Sequence, residues 1–406
     1  MITSSDSIFA LVDENFILVF KVKDSNPFAI KNSNLFPFPW EISFNQQDLI
    51  SNLSKIYKVK KEKIFIFHTF PNSNKRIRYD NINIKHYLDF KKSADFLIRD
   101  SSEMKSAFKL IFLFFGRKVL WVAESDSNDS KEKRTVKYGV IDFSNFGDWV
   151  LSVTNRIPAS DRFFLRKFDE SKLVTSLINS YIYPTPIGDT EKEENIDNVI
   201  ISSLLTKLLT ATVISIKPVL LELFKGGAKV KSFELDIGIG GIFPDRLNDK
   251  TLISTIFESF SFFIDHFQGK KPFSINLYKA GKECFLPLMA LSMGKVVDSY
   301  IKWENSGAYH CVYYGKEGVK KDEEIGYLQI TGVGSRYSKP LKAGSVNIEI
   351  LKSEAFCETV FGKRIFCDLD IGELSKGVLI VDCGGIFSDR FSERFYEALE
   401  NFEEAK

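Results

Sequence analysis

The chain has 406 residues, of which 44% are hydrophobic and 27% are charged. These values are typical of a soluble globular protein and leave room for two or three hydrophobic cores. The 55 basic and 53 acidic side chains nearly cancel, so the formal net charge is only +2. Such a balance argues against a nucleic-acid partner or another polyanion.

No segment predicts export or a membrane span. The first residues lack the basic and long apolar regions of a secretory signal. The most apolar run, residues 199–219, contains Lys207 and Lys217, so we interpret it as a buried helix that runs into a strand. The five cysteines have no C-x-x-C spacing, which predicts reduced thiols and a cytoplasmic location. The four histidines form no metal-ligand pair.

The first hundred residues indicate strands, a helix and a basic segment. Apolar runs over residues 7–12 and 17–22 predict two strands joined by a turn at Asp13. Leucine and isoleucine recur at three and four residues over 47–57, which predicts a helix. Residues 58–92 carry ten Lys and Arg. We interpret them as a solvated sheet edge guarded by lysines, and less readily as a patch for an acidic partner.

The rest of the chain adds hairpins and a β-rich end. Residues 110–124 predict a hairpin, and residues 136–153 predict strand, turn and strand with Asp142 at the end of the first strand. Short strands separated by glycine-containing turns from residue 324 onward predict a small β-rich unit. Residues 388–406 predict a charged amphipathic helix, because phenylalanine and leucine repeat there at four residues.

The most informative stretch is residues 231–246. It begins as an alternating strand that includes Asp236, and then reaches the glycines Gly238, Gly240 and Gly241 before a helical run over 251–268. Only glycine adopts positive φ without strain and lets a ligand approach the backbone closely. Strand, glycine turn and helix is therefore a geometry that can hold a phosphate or sugar, although a tight corner explains the same residues.

One seven-residue pattern occurs twice. Residues 240–246 recur as residues 384–390 with one difference, and each copy follows a strand that carries an aspartate, Asp236 or Asp382. A repeated strand-to-helix corner explains the pattern, and it also suggests two corners that face a common cleft. Seven residues are too few to indicate gene duplication.

The second half resembles the accessory protein family associated with glutamate mutase, the MutL (GlmL) type. Five stretches carry this resemblance in the order of the family, and together they extend over roughly residues 170–390. They are residues 178–209 with a proline-containing crossing, 234–243 with the glycine corner, 275–291 with a Leu-Pro pair, 339–351, and 377–385.

This resemblance implies a mixed α/β protein with the two-lobed actin-like ATPase fold and a small C-terminal β-rich unit. The lobes would close over ATP or ADP with Mg²⁺. It implies a first lobe over residues 1–165, a second lobe with the glycine corner over 166–323, and a closing unit with the C-terminal helix over 324–406.

The family places two phosphate loops, each an aspartate followed by glycines and threonines, on hairpins of the first half. Here Glu14 and Phe16 follow Asp13, and Phe143 follows Asp142, so the small residues that surround a phosphate are missing. We therefore predict a degenerate nucleotide site. Its nucleoside side would consist of Asp236, Gly238, Gly240 and Gly241.

Three functions are open on this basis, and each involves a protein partner. The first, which we favour, is a non-catalytic scaffold or assembly factor. The second is an ATP-binding chaperone or reactivating factor, in which Asp13, Asp142 and Asp148 would hold Mg²⁺ or orient water. The third is a cytoplasmic actin-like platform, peripheral to a membrane or pilus assembly machine. Ordinary turn aspartates are the explanation that we favour for the three carboxylates, because Asp is common in turns.

Overall fold

A computed structural model describes most of the regular structure of the chain. The described residues are 6–12, 16–23, 30–37, 46–68, 84–101, 103–115, 118–125, 135–142, 191–223, 233–242, 244, parts of 252–264, 273–294, 301–312, 319–332, 335–362, 372–374, 377–384, 393–395 and 397–398.

The described residues form seventeen strands in three sheets, with four α-helices labelled here. The helices are α1 (Gln46–Tyr57), α2 (Phe90–Asp100), α3 (Glu191–Leu223) and α4 (Phe285–Ser292). The strands are β1 (Ser7–Val12), β2 (Phe16–Val22), β3 (Ile30–Pro37), β4 (Ile64–His68), β5 (Ile84–Tyr87), β6 (Phe108–Phe115), β7 (Lys118–Ser125), β8 (Thr135–Asp142), β9 (Phe233–Gly241), β10 (Phe273–Ala280), β11 (Glu304–Cys311), β12 (Glu324–Gly332), β13 (Ser335–Lys342), β14 (Val346–Leu351), β15 (Ala355–Phe361), β16 (Gly372–Leu374) and β17 (Gly377–Asp382).

The first two sheets contain the same five-stranded arrangement. The first sheet has the order β3-β2-β1-β4-β5, in which β1, β2 and β3 are antiparallel and β4 and β5 run parallel to β1. The second sheet repeats it as β8-β7-β6-β9-β10 and adds β11, β17 and β14 beyond β10. Because β6 pairs with β9, strands on both sides of the predicted boundary at residue 165 share one sheet.

Each face of the second sheet is covered differently. On one face, Leu235, Ile237 and Ile239 pack with α3 and with helical residues of 252–264. On the other face, Ile111 and Leu113 belong to a core that also contains side chains of β1, β2, α2 and α4. The first and second sheets therefore share one hydrophobic core.

The third sheet has the order β13-β12-β15-β16 and forms the predicted β-rich end. It packs on the second sheet through a separate core that includes Leu328, Leu379 and Val381. β14 and β17 lie in the second sheet and not in this unit. The strands predicted at residues 325–331, 345–351 and 377–382 are therefore confirmed, but they are divided between two sheets, and the strand predicted at residues 363–371 lies outside the described residues.

Helix α3 corrects one expectation. The sequence predicts a helix that gives way to a strand within residues 199–219, but one helix of 33 residues continues to Leu223 with Pro218 inside it. Two hydroxyl groups in this segment are satisfied within the helix. Thr212 Oγ1 donates to the Leu208 carbonyl at 2.6 Å, and Ser215 Oγ donates to the Ala211 carbonyl at 2.8 Å. No helix in the described part of the chain is long and apolar enough to cross a membrane.

Candidate functional site

The two sheets place two hairpins in equivalent positions. β1 and β2 in the first sheet correspond to β6 and β7 in the second. The loops between them, residues 13–15 and 116–117, lie outside the described residues, and so does Asp13. Asp142 ends β8, the third strand of its repeat, so Asp13 and Asp142 do not hold equivalent positions.

Asp142 lies at an exposed edge of the second sheet. Lys118 Nζ is 3.7 Å from its carboxylate, and the two residues are opposite each other in the β7–β8 register. β6 and β7 separate β8 from β9, so at about 4.8 Å per strand Asp142 is roughly 14 Å from Gly241. That distance is too long for a shared metal ion. Asp148 lies outside the described residues.

The glycines of the corner belong to strand β9 itself, which continues to Gly241 and is paired on both sides. A Cβ atom at Gly238 would lie 2.5 Å from Met104 Cε, and one at Gly240 would lie 2.5 Å from Leu113 Cδ2. Side chains of the shared core therefore cover both glycines. The predicted break in the strand at Gly238 is wrong, because these glycines make room for neighbouring side chains and not for a turn.

Gly241 is the one glycine of the corner with an unusual backbone conformation. Its φ is +121°, and a Cβ atom there would lie 2.5 Å from the Phe114 carbonyl oxygen on the adjacent strand β6. Only glycine combines this φ with so close a backbone contact. Ile242 and Pro244, which follow, are helical and buried, so the strand changes to helix at Gly241, earlier in the chain than the helical run predicted over residues 251–268.

Asp236 is buried and binds protein groups with both carboxylate oxygens. Oδ2 accepts the Ser106 backbone N–H at 2.8 Å, and Oδ1 accepts the Ser106 hydroxyl at 2.7 Å and Asn276 Nδ2 at 2.8 Å. Ser106 belongs to the connector, residues 101–107, that leads from α2 to β6. Asp236 therefore fixes the connector to the second sheet.

Two further acidic residues, Asp100 and Glu103, hold the same part of the chain. Asp100 accepts the backbone N–H of Ile301, and Glu103 accepts that of Trp303 at 3.3 Å. Burial raises the pKa of Asp100 to about 6, even though the hydrogen bond from Ile301 acts in the opposite direction. Sequence patterns gave no indication of these contacts, because both acids lie far in the chain from the residues they bind.

Phenylalanine rings fill the space beside the β6–β7 hairpin. The Phe115 ring, at the end of β6, lies 4.7 Å from the Phe285 ring of α4 and 5.9 Å edge-on from the Phe90 ring of α2. Phe115 and Phe285 are fully buried. Aromatic pairs at these separations are stabilising and exclude water.

The second copy of the seven-residue pattern follows β17, at the opposite end of the strands of the second sheet from Gly241. β11 is antiparallel to β10, and β17 is parallel to β11, so β17 runs opposite to β9. In this register Asp382 is opposite Cys311, which is opposite Phe273 at the start of β10. The expectation that both corners face one cleft is therefore wrong.

Asp382 is part of a buried cluster of its own. It accepts hydrogen bonds from the Tyr309 hydroxyl at 2.7 Å, from the Gly384 N–H at 2.8 Å and from the Arg394 guanidinium. Arg394 is only 5% exposed, and helical residues around it pack on the sheet through Phe395. The sequence shows Asp382 but gives no sign that an arginine twelve positions later completes its environment.

The edge of the second sheet where β6, β9 and β10 end can be compared with what a magnesium nucleotide requires. Its phosphates need converging backbone N–H groups, and its metal needs oxygen ligands. Phe115, Ile242 and Ala280, at the ends of β6, β9 and β10, are all buried and apolar. Among the described residues, no group of three His, Cys, Asp or Glu could hold a metal ion. This part of the edge does not fit the cofactor, and the assignment of Asp236 and the glycines to a nucleotide stays a prediction.

No protein family and no curated protein matches the chain. Solved structures resemble it weakly. An exopolyphosphatase from Cytophaga hutchinsonii is 11% identical, with 57% of this chain and 66% of that chain covered and a TM-score of 0.28. The activator of 2-hydroxyisocaproyl-CoA dehydratase from Clostridium difficile, with bound ADPNP, is 9% identical over 72% of this chain and 100% of that chain, at 0.30. A glucokinase from an Antarctic psychrotroph is 11% identical over 72% and 99%, at 0.31.

The strand order defines the class of this protein. It is a mixed α/β protein in which the arrangement 3-2-1-4-5 occurs twice, in the first and second sheets, and this repeated arrangement is that of the actin-like ATPase fold. A smaller β-rich unit packs on the second sheet, as predicted. The particular family is not shown, and the resemblance to the glutamate mutase accessory family stays a hypothesis.

Proposed function

We propose that this chain is an actin-like protein with a degenerate nucleotide site that acts as a non-catalytic scaffold or assembly factor. The observation that carries the proposal is the set of buried phenylalanine rings beside the β6–β7 hairpin. Phe115 and Phe285 occupy space next to a loop that would otherwise have to present backbone N–H groups to a phosphate.

The sequence of the other hairpin supports the same conclusion. Glu14 directly follows Asp13 in the loop after β1. Two like charges about 4 Å apart repel by roughly 4 kcal/mol at an effective dielectric of about 20, so a carboxylate beside a phosphate disfavours binding. The hydrogen bonds of Asp236 to Ser106 and Asn276 add to this, since a ligand would have to compete with them.

Titration with ATP and ADP, with and without Mg²⁺, tests the proposal by calorimetry and thermal unfolding. We expect no saturable binding at millimolar nucleotide and no hydrolysis. A ligand at about a hundred times its dissociation constant adds about 2.7 kcal/mol to the free energy of unfolding, so binding would be readily detected.

Mg²⁺-dependent nucleotide binding that is lost in Asp13→Asn would contradict the proposal of a degenerate nucleotide site and favour an ATP-binding chaperone. Asp322→Asn serves as the matched control. Asp322 is exposed and lies in the turn before β12, away from both hairpins. For the scaffold role, we expect a protein partner to co-elute in gel filtration, with a stoichiometry unchanged by ATP or ADP. An elution that depends on nucleotide would contradict it.

A further inference from the structure

A basic surface lies at one end of the first sheet, away from the hairpins. It is called the basic end here and comprises Lys21, Lys31, Lys55, Lys58, Lys60, Lys61 and Lys63 together with Ile30 and Ile56. The seven lysines and the two neighbouring carboxylates, Asp6 and Glu62, together carry a net charge of +5. The formal net charge of the whole chain is +2.

Contacts between strands and helix show that these residues share one end. Lys31 Nζ is 2.8 Å from Asp6, and Lys21 Nζ is 3.4 Å from the other oxygen of the same carboxylate. Lys21 Nζ also donates to the Tyr57 carbonyl, the last of α1, at 3.3 Å. This chain of contacts joins the start of β3 to the end of α1.

The end of α1 is held rigidly. Asn34 Nδ2 donates to the Tyr57 hydroxyl at 2.7 Å, and Tyr57 is buried with Leu53 against the first sheet. Lys58 then adopts φ +54°, and the Val59 N–H donates to the Ser54 carbonyl at 3.3 Å, which ends the helix. The orientation of Ile56 and Lys58 is therefore fixed by the fold.

Two isoleucines are exposed among these lysines. Ile56 is 62% exposed and lies off the buried side of α1, between Lys55 and Lys58. Ile30 is 37% exposed and directly precedes Lys31. Lysines near a helix C-terminus stabilise its dipole, but that effect requires neither so many of them nor exposed aliphatic side chains.

We propose that the basic end binds an anionic lipid bilayer surface. Lysine clusters are attracted to acidic lipid headgroups, and apolar side chains that project among them insert at the headgroup boundary. A nucleic acid fits less well, because single strands are bound by stacking on aromatic side chains and the exposed apolar residues here are aliphatic. The basic end is also at the amino ends of β1 and β4, opposite the hairpin loops, so this inference does not depend on the nucleotide site.

The test is sedimentation of the full chain with vesicles of phosphatidylcholine alone and of phosphatidylcholine mixed with phosphatidylserine. We expect binding only to the anionic vesicles, and weaker binding at about 0.5 M salt than at about 0.1 M because salt screens the attraction. Each lysine near an acidic surface contributes about a fivefold factor, so Lys58→Gln/Lys60→Gln/Lys61→Gln should lower partitioning roughly a hundredfold.

Matched variants test whether vesicle binding depends on the basic end or on the net charge and exposed hydrophobic residues of the protein as a whole. Ile56→Ser should lower partitioning roughly tenfold, because an isoleucine leaves the bilayer boundary. Val360→Ser, at another exposed aliphatic position, on the third sheet, should have no effect. The charge control Lys137→Gln/Lys342→Gln/Lys352→Gln removes three exposed lysines elsewhere and should also have no effect.

Three results would overturn the proposal. They are equal binding to neutral and anionic vesicles, an equal loss in the charge control, and binding to duplex DNA or RNA without binding to anionic vesicles. Thermal unfolding of each variant shows whether it is folded, and all the substituted side chains are exposed, so wild-type melting is expected.

Discussion

The Arg394 guanidinium donates to both oxygens of the Asp382 carboxylate, and both side chains are buried. The ion pair joins helical residues near the C-terminus to the end of β17. Tyr309 and Gly384 supply further hydrogen bonds to the same carboxylate. In the described residues 393–395 and 397–398, the C-terminal helix predicted from the sequence is therefore attached to its own sheet.

Replacing Arg394 with methionine should strongly destabilise the protein. The change leaves the Asp382 carboxylate buried without its partner, and breaking a buried pair in this way typically costs about 3–5 kcal/mol. Urea unfolding measures the free energy. Arg394→Met/Asp382→Asn should recover part of the loss, and Glu393→Ala, at an exposed neighbour, should change little. An Arg394→Met protein within about 1 kcal/mol of wild type would contradict this role.

Replacing Gly241 with alanine should destabilise the protein without any nucleotide present. The new Cβ would lie 2.5 Å from the Phe114 carbonyl oxygen at a φ of +121°. Backbone strain of this kind costs on the order of 1–3 kcal/mol, and the contact with a fixed backbone atom adds to it. Thermal unfolding checks the loss.

Gly294→Ala is the matched control for Gly241→Ala. Gly294 has φ +72°, and nothing lies within 4 Å of a Cβ placed there, so only the cost of the backbone conformation applies. That cost is about 1–2 kcal/mol. Equal losses in the two variants would show that the contact with Phe114 is unimportant.

Ser106 and Asp236 should be energetically coupled. Ser106→Ala removes one donor to the buried carboxylate, and Asp236→Asn removes the charge that strengthens the three hydrogen bonds. A double-mutant cycle measured by chemical unfolding should give a coupling of about 1–3 kcal/mol. The cycle is run without nucleotide, so additive losses would indicate that Asp236 does not hold the connector.

His310 should make the protein less stable in acid. Its imidazole is fully buried, neither nitrogen has a hydrogen-bond partner among the described residues, and burial lowers its pKa from 6.5 to about 4. Between these values the unfolded chain binds the proton and the folded protein does not. Stability contributed by the neutral imidazole is therefore lost as the pH falls from about 7 to 4, by about 3 kcal/mol in all.

The pH dependence is isolated by comparison with His310→Leu, whose unfolding free energy should fall less over the same range. Asp100 acts in the opposite direction. Its pKa is raised to about 6, so the folded state gains relative stability below that pH and loses it as the pH rises through 6. The comparison is sharpest with Asp100→Asn in both proteins. Parallel pH profiles for histidine and leucine would contradict the prediction.

Local patterns were sufficient for elements whose signal lies within a few residues. β1, β2, α1 and the β6–β7 hairpin occur where alternation or helical spacing predicts them. Within α1, Leu53 is buried as its spacing predicts, but Ile56, which belongs to the same apolar spacing, is 62% exposed. The spacing therefore located the helix but not every residue of its buried face. The residues within each of these elements determine whether it is a helix or a strand, so a single sequence was enough to predict them.

The candidate site could not be predicted in the same way. Gly238 and Gly240 are required by Met104 and Leu113, which come from distant parts of the chain. The glycine run therefore looks like a turn in sequence although it is a strand. Strand direction is also not visible locally, and only the antiparallel pairing of β10 and β11 shows that Asp382 and Gly241 lie at opposite edges.

The position of β9 between β6 and β10 has a consequence for synthesis on the ribosome. β6 ends at residue 115 and its neighbour begins at residue 233, so 117 residues must be translated before the two can pair. At typical elongation rates of about 5–20 residues per second, this takes roughly 6–23 s. During that time the nascent β6 edge, rich in phenylalanine, is open to other chains, so a chaperone that covers exposed apolar strands would raise the yield of native protein.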